Sequence, residues 1–560
     1  MTGNRPLFWA FLFFLACFFT ASFYLASHRS LCETLEAESA LIAKAFYEGR
    51  AHLINQLNGK EDLDKPPGFY WLISGLYRVS PSWEVAARLP SIGSLVLFFF
   101  LFWKLSQYLR LDKGFLALWC LVFVFCPKIF WMSQIARMDL LFSSLCFLSI
   151  YFFIRIVSSV GKDAEVDPGK LNKNFLTAFF LTAGLSVMVK GPVGAVLIFG
   201  TVGIFLIVSK RFYLIREIFL SPYMLVFLAV CLPWYVYVIL KTDFRFFYRF
   251  ILEENLSRFS SLLPGGSFKE FNHSPPTRYL VYLLTGFFPW SLMVPLWCYT
   301  TVKGWRSIRP EIKVLFVYFW FVLVFFSLAT SKRSDYILPL YPAASFLCAN
   351  FLMAPQNKGL FTYALKGISC LLVTLFLCLF LTGVYIHFLD YSLLLSVMKA
   401  QEDVAAFILS TLTSQYLLFL LLFFIFLGPI LINRTRGKQL LPFFMAAAAS
   451  FFLVTGMFTL PAIYKGKDVR PFCKKVIRIV GSSPLYYAGF WDEECTFYLD
   501  RTINKLDMDK VNSIMNNSSK KVFFIVDKKR LKLMKKKGIR FSIIFKDNSL
   551  VLRPLFLVSR

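Results

Sequence analysis

Apolar residues fall along this chain in long, nearly unbroken runs. The first extends from Leu7 to Ala26, and further runs centre on 91–108, 114–128, 140–156, 175–189, 193–208, 221–240, 281–301, 313–330, 336–353, 364–386, 413–432 and 441–460, thirteen in all. Each is of a length that approaches or meets the bilayer's hydrocarbon thickness. Runs this continuous and this rich in Leu and Phe satisfy their backbone as helices, whereas a barrel would show short alternating strands. Between the first two runs lies a polar excursion, residues 28–89. Within it Glu36–Tyr47 has the spacing of a short amphipathic helix on the membrane surface. The pattern changes again at Tyr464, where Val476–Val480 and Val522–Val526 read as strands and Leu531–Lys537 as a helix. The fold class expected is membrane all-α, about thirteen transmembrane helices over 1–460, with a small soluble α/β domain over 461–560.

Composition agrees with the pattern: 58% of residues are hydrophobic, 67 are Phe and only 17% are charged, which is too apolar for a soluble protein of this size. Lys and Arg collect in the short loops at 110–113, 162–173, 210–216, 303–313, 358 and 434–438, which the positive-inside rule assigns to the cytoplasm. Alternation then makes the first run an uncleaved anchor with a cytoplasmic N-terminus. It sends loops 28–89 and 241–280 and the C-terminal domain to the outer face. The net charge of +29 is spread over loops beside the spans with no recognition motif, which sets nucleic acid aside. Nine of the twelve cysteines lie in apolar runs. Cys473 and Cys495 fall in the outer domain and are candidates for a disulfide if that compartment is oxidising.

Ionisable groups beside hydrocarbon are costly, so chemistry is sought among those gathered at the outer face. Glu33, Glu36 and Glu38 follow the first run. Asp64 and Lys65 precede Pro66-Pro67, whose rings hold both charges on a stiff loop. Arg137 and Asp139 begin one run, Lys332, Arg333, Asp335 and Tyr336 open another, and His273 lies between. Lys65, Lys332 and Arg333 suit a phosphate through charge-assisted donation, and Asp139 suits a base or an orienting group. A phosphate beside an apolar groove describes a polyprenyl-phosphate lipid. Taken singly, each residue equally fits a snorkelling anchor or a helix cap; their gathering on one face carries the joint reading.

The segment Glu36–Trp71 resembles the first outer loop of the lipid-to-lipid glycosyltransferases typified by the 4-amino-4-deoxy-L-arabinose lipid A transferase. These are related to the protein O-mannosyltransferases and share the GT-C fold. The family loop has an Asp-Glu pair, an Ala-Arg-Glu-Met-like helix, Leu-Asn-Gly, and Glu-Lys-Pro-Pro followed by Tyr-Trp. Here these become Glu36, Ala43-Lys44-Ala45-Phe46, Leu57-Asn58-Gly59, Asp64-Lys65-Pro66-Pro67 and Tyr70-Trp71, without a gap. The likeness continues through Ala86–Ser91, Lys190-Gly191-Pro192, Phe288–Ser291 and Tyr336–Pro342. It implies that Lys65 binds the donor phosphate, that Tyr336 lines the phosphate region, that Glu36 and Asp139 are the catalytic acids, and that Asp64 and His273 hold a divalent metal, zinc by resemblance to that family. It also implies a bacterial inner-membrane location and no nucleotide cofactor.

Two positions depart from the family loop. Leu35 stands where the first acid is found, and Glu38 where an arginine follows. Retaining only part of the acidic set favours an acceptor that is already an anion, such as a phosphate monoester, over a hydroxyl that needs a base. The reading is a membrane enzyme that moves a sugar from a polyprenyl-phosphate carrier to lipid A or a similar glycolipid. Transfer to protein is the alternative within the class. A flippase for lipid-linked sugars, or an inactive homologue, is the alternative outside it.

Overall fold

The computed structural model describes residues 5–33, 35–158, 171–256, 275–354, 357–388, 415, 417–427, 437–517, 521–547, 549–550 and 552–560. Its membrane part is a bundle of helices. In chain order they are α1 (Arg5–His28), α2 (Glu36–Tyr47), α3 (Gly68–Tyr77), α4 (Trp83–Tyr108), α5 (Lys113–Val124), α6 (Pro127–Ser133), α7 (Met138–Ser158), α8 (Lys173–Lys190), α9 (Val193–Val208), α10 (Tyr213–Phe219), α11 (Met224–Lys241), α12 (Arg278–Gly286), α13 (Val294–Lys303), α14 (Pro310–Leu328), α15 (Tyr341–Met353), α16 (Lys358–Phe388) and α17 (Gly437–Val454). Among the described residues seven helices are long and apolar enough to cross a membrane, or up to nine if each of two bent pairs is one span.

The thirteen expected runs therefore do not all become straight spans. Run 114–128 is the pair α5 and α6, bent by 75°, and run 281–301 is bent by 117° between α12 and the segment Trp290–Lys303. A proline, Pro127 or Pro289, stands at each break, where its missing N–H ends the helical ladder. Runs 193–208 and 336–353 form the shorter apolar helices Val193–Val208 and Leu338–Met353, and run 413–432 is described as a helix only over Leu417–Leu427.

Small residues let these helices approach, as membrane packing requires where no hydrophobic force separates helix from lipid. Ser149 of α7 and Thr182 of α8 share a hydrogen bond of 2.7 Å. A methyl group on Gly184 would lie 2.9 Å from Val230 of α11, and one on Gly456 would lie 2.7 Å from Ala21 of α1.

The first loop is more deeply built in than its sequence suggests. Helix α2 has the expected bounds, yet Glu36, Ala37, Ser39, Ala40, Ile42, Ala43 and Ala45 are all buried, and it packs on α3 and α4. It is packed inside the protein, not laid on its outside. A two-stranded antiparallel hairpin follows, β1 (Asn55–Leu57) and β2 (Lys60–Asp62). Its turn is Asn58-Gly59, both at positive φ (50° and 77°), the pairing that matches right-handed strand twist.

The C-terminal domain carries a mixed five-stranded sheet. Its strands are β3 (Leu485–Ala488), β4 (Asn504–Leu506), β5 (Phe523–Asp527), β6 (Ser542–Lys546) and β7 (Leu555–Ser559), in the order β4-β3-β5-β7-β6. The helices are α18 (Arg470–Val480), α19 (Glu493–Leu499), α20 (Met508–Asn517) and α21 (Lys528–Lys536). The strand expected at Val476–Val480 is the end of α18. Its buried residues, Phe472, Cys473, Val476 and Val480, keep a helical spacing that the five-residue window was too short to show. The other two elements lie close to expectation, as β5 and α21. Cys473 and Cys495 are buried in this domain as free thiols.

This domain grips the first loop at several points. The Asn58 side chain donates to the Ile503 carbonyl at 3.0 Å and accepts from the Ile503 N–H at 3.2 Å. The Tyr498 hydroxyl accepts from the Leu31 N–H at 3.1 Å and donates to Glu84 at 3.0 Å. Ser30 donates to Glu494 at 2.8 Å, and Lys467 pairs with Glu33 at 3.0 Å.

Where the loop turns back into the membrane, Gly68 lies against α8: an added methyl would sit 2.6 Å from the Met188 carbonyl oxygen. That atom is backbone and cannot swing aside. Gly68→Ala is therefore expected to destabilise the protein by about 1–3 kcal/mol by prising α3 from α8. A detergent melting curve should show a clear drop, and an unchanged transition would remove this account of the glycine.

Candidate active site

A cavity of about 570 Å³ opens where the first loop meets α7, α8, α9 and α14. Part of its lining is charged: Glu38, Asp64, Lys65, Arg137, Asp139, Lys190 and Arg333 line it, with Tyr336. Much of the rest of the lining is apolar and includes Val193, Val196, Phe250, Ile251, Phe325 and Phe326.

The charges form chains of alternating sign. Asp139 accepts from Lys190 at 2.6 Å through one oxygen and pairs with Arg137 at 3.0 Å through the other. Arg137 reaches on to Asp335 at 2.9 Å, which Lys128 and Arg333 also approach. Lys190 lies over the Tyr336 ring, 5.3 Å from its centre. Across the cavity Lys65 pairs with Glu38 at 3.0 Å, and Asp64 with Arg249 at 2.8 Å. Burial opposes the charge of Lys65, but Tyr70, Glu38 and Asp62 outweigh it and hold the ammonium above the ordinary lysine range, so it stays a cation at any physiological pH.

Backbone geometry holds this set in place. The Lys65 carbonyl accepts from Asn55 at 2.8 Å. Gly191, at φ 102°, ends α8 directly after Lys190, and a methyl there would lie 2.5 Å from the Phe250 ring. A side chain at that position would meet both a left-handed backbone and a filled space.

Glu36 does not stand where a catalytic acid is needed. It is fully buried and absent from the cavity wall. It accepts from Arg29 at 2.8 Å, from Arg88 at 2.9 and 3.0 Å, from the Ala136 N–H at 2.8 Å and from the Glu33 N–H at 3.2 Å. Burial would raise its carboxyl, but Arg29 and Arg88 overcome that and hold it below the ordinary range. Every lone pair is spoken for, so it is a structural anion. Lys332 also leaves the expected set: it turns back to the carbonyls of Ser327, at 3.0 Å, and Ala329, satisfying the end of α14.

Lys65, Arg333, Tyr336, Asp64 and Asp139 thus share one cavity. His273 lies outside the described residues. Asp64 faces the cation Arg249, and among the described residues no group of three or more His, Cys, Asp or Glu is placed to hold a metal ion. The described residues alone do not complete a zinc site, which needs three or four donors. Lys190 and Arg137 were visible in the sequence, but only their fold-dependent meeting at Asp139 shows their importance.

Dolichyl-phosphate-mannose-protein mannosyltransferase is the family that matches, over residues 64–237. An uncharacterised protein of Aquifex aeolicus is 25% identical over 84% of this chain and 82% of its own length. The undecaprenyl phosphate-alpha-4-amino-4-deoxy-L-arabinose arabinosyl transferase of Yersinia enterocolitica is 26% identical over 59% of this chain. The match spans only 57% of that transferase. Among solved structures, ArnT from Cupriavidus metallidurans bound to undecaprenyl phosphate aligns with a TM-score of 0.77 at 16% identity, covering 98% of this chain and 97% of that one. The same protein in its apo state aligns at 0.75. The chain has the fold of that structure and is similar in sequence to the arabinosyl transferases.

Two predictions follow from the site's electrostatics. Glu36→Gln leaves Arg29 and Arg88 buried without a counterion, at a cost on the order of 3–5 kcal/mol. Its activity should fall only in step with the folded fraction, as measured by melting and size-exclusion profiles; a fully stable but inactive variant would restore a catalytic role. The second concerns Asp62, which has a buried oxygen lacking a hydrogen-bond partner. Burial and the adjacent Asp64 push its carboxyl up to about 6, from an ordinary 3.8. The folded protein thus holds this proton more tightly than the unfolded chain. The resulting stability is full below about pH 3.8 and lost as pH rises through about 6. Asp62→Asn should flatten that part of the stability–pH curve, and an unaltered slope would count against it.

Proposed function

We propose that this ArnT-like chain is an integral membrane glycosyltransferase that moves a sugar from a polyprenyl-phosphate carrier to lipid A or a similar envelope glycolipid. The observation that carries the reading is the mixed lining of the cavity, fixed cations together with aliphatic and aromatic side chains. A phosphate with a long isoprenoid tail is complementary to both.

In this reading the donor phosphate sits among Lys65, Lys190, Arg137 and Arg333, with Tyr336 beside it, and the tail follows Val193, Val196, Phe325 and Phe326. The anomeric C–O bond breaks toward the phosphate. Cations already held in position stabilise the charge that grows there without reorganising. Asp139 serves as a positioning residue, aiming Lys190 and Arg137 through its two oxygens. No nucleotide is expected, because the sugar is already activated on its phosphate. Matching positions in the ArnT class and the basic short loops support a bacterial inner-membrane setting, with this cavity and the C-terminal domain on the outer side.

Mass spectrometry of envelope glycolipids from cells with and without the gene tests the reading directly: loss of one sugar supports transfer, whereas an unaltered lipid that changes leaflet supports a flippase. Lys65→Ala is expected to remain folded and to weaken undecaprenyl-phosphate binding by about 10- to 100-fold, the loss of one charged contact of roughly 1.5–3 kcal/mol. Binding and turnover near those of the parent would remove Lys65 from the donor site.

A further inference from the structure

A second cavity, of about 420 Å³, lies between the first loop and the C-terminal domain. Among the described residues, Leu35 and Glu38 line both it and the donor cavity. Four acidic side chains face the second cavity, Glu33, Glu38, Glu493 and Glu494, against two cations, Lys467 and Arg553. Both cations are engaged, Lys467 with Glu33 at 3.0 Å and Arg553 with Glu494 at 2.6 Å and Asp492 at 2.5 Å.

Resting on the donor assignment above, we propose that this second cavity receives the acceptor, that the attacking group is a neutral hydroxyl and not a phosphate, and that Glu38 takes its proton. Burial pushes the Glu494 carboxyl up to about 8, yet a phosphate dianion entering here would still meet Glu33, Glu38 and Glu493 against Lys467 and Arg553. A hydroxyl meets no such barrier but requires a base. The other carboxylates near the donor site are committed. Glu36 holds two guanidinium groups, Asp139 gives one oxygen each to Lys190 and Arg137, and Asp64, paired with Arg249, lines only the donor cavity. Glu38 stands in the shared wall, and its ion pair is with Lys65.

That pair supplies the switch in charge. When the donor phosphate arrives beside Lys65 it replaces Glu38 as the counterion, leaving a carboxylate facing the acceptor. The acceptor O–H then gives its proton to Glu38 while its oxygen bonds to the anomeric carbon. The bond from that carbon to the phosphate oxygen breaks, and its electron pair leaves with polyprenyl phosphate. Leu35, the position where the resembling loop carries its first acid, is three residues before Glu38 and at φ 70°. Both residues line the same two cavities, so Glu38 returns a carboxylate to the wall that Leu35 leaves without one.

The test uses the full chain in vesicles made with total lipid from the producing cells, which supply donor and acceptor. Glu38→Gln is expected to lower kcat for transfer by at least 100-fold without weakening the binding of undecaprenyl phosphate, as loss of a base that also competes for Lys65 predicts. Leu35→Asp added to Glu38→Gln should recover at least tenfold. The product's sugar should survive mild acid, which releases sugars joined through phosphate. Transfer by Glu38→Gln within threefold of the parent, or an acid-labile product, would overturn this inference and leave the donor assignment standing. A parent protein that fails to bind undecaprenyl phosphate overturns both.

Discussion

The Glu36 carboxylate, buried between Arg29 and Arg88, is the constraint on which the site depends. Arg29 ends the first helix's segment, Arg88 belongs to α4, and the same carboxylate accepts the Ala136 N–H. Arg29 also donates to the Gln134 carbonyl at 2.6 Å, and Ser91 to that of Ile135 at 2.7 Å. The strand of backbone leading into Arg137 and Asp139 is therefore hung from this one anion. An ion pair so deep gains little over an apolar replacement, yet it breaks expensively and fixes geometry. Here the geometry fixed is that of three chain segments distant in sequence, at the edge of a cavity whose chemistry needs them aligned.

The C-terminal domain adds a second frame. Its grip on Ser30, Leu31, Asn58 and Glu84 reaches both ends of the first loop. The Asn58–Ile503 pairing copies a backbone ladder with a side chain, so the hairpin is joined to the domain almost as a further strand would be. The membrane helices set one wall of the site and the soluble domain braces the loop that forms the other.

Much of this was legible in the sequence, and the parts that were not share a cause. Long apolar runs and the Asp64–Pro67 stiffener depend on local chemistry, and so they read directly. Glu36 was given a catalytic role because sequence shows an acid at the right place in a loop but not the two arginines that consume it, 7 and 52 residues away. Lys332 looked like its neighbour Arg333 until the end of α14 claimed it. The Asn58-Gly59 turn was a readable hairpin signal that the apolar pattern overshadowed. The helix at Arg470–Val480 was hidden by a window that caught only its β-branched end. Lys190 could be singled out only by knowing that α7 and α8 are neighbours.

The alternation of charge along the cavity has a consequence for turnover. Each cation facing the donor space already has a carboxylate close by, Lys65 with Glu38 and Lys190 and Arg137 with Asp139. In the proposed reaction an incoming phosphate competes with these resident anions, and the same anions compete with the spent carrier for the cations. The site thus carries its own eluent. Affinity for the carrier is capped by design of the charge pattern, and a lipid that would otherwise cling to a bare cluster of cations is returned to the bilayer for reuse.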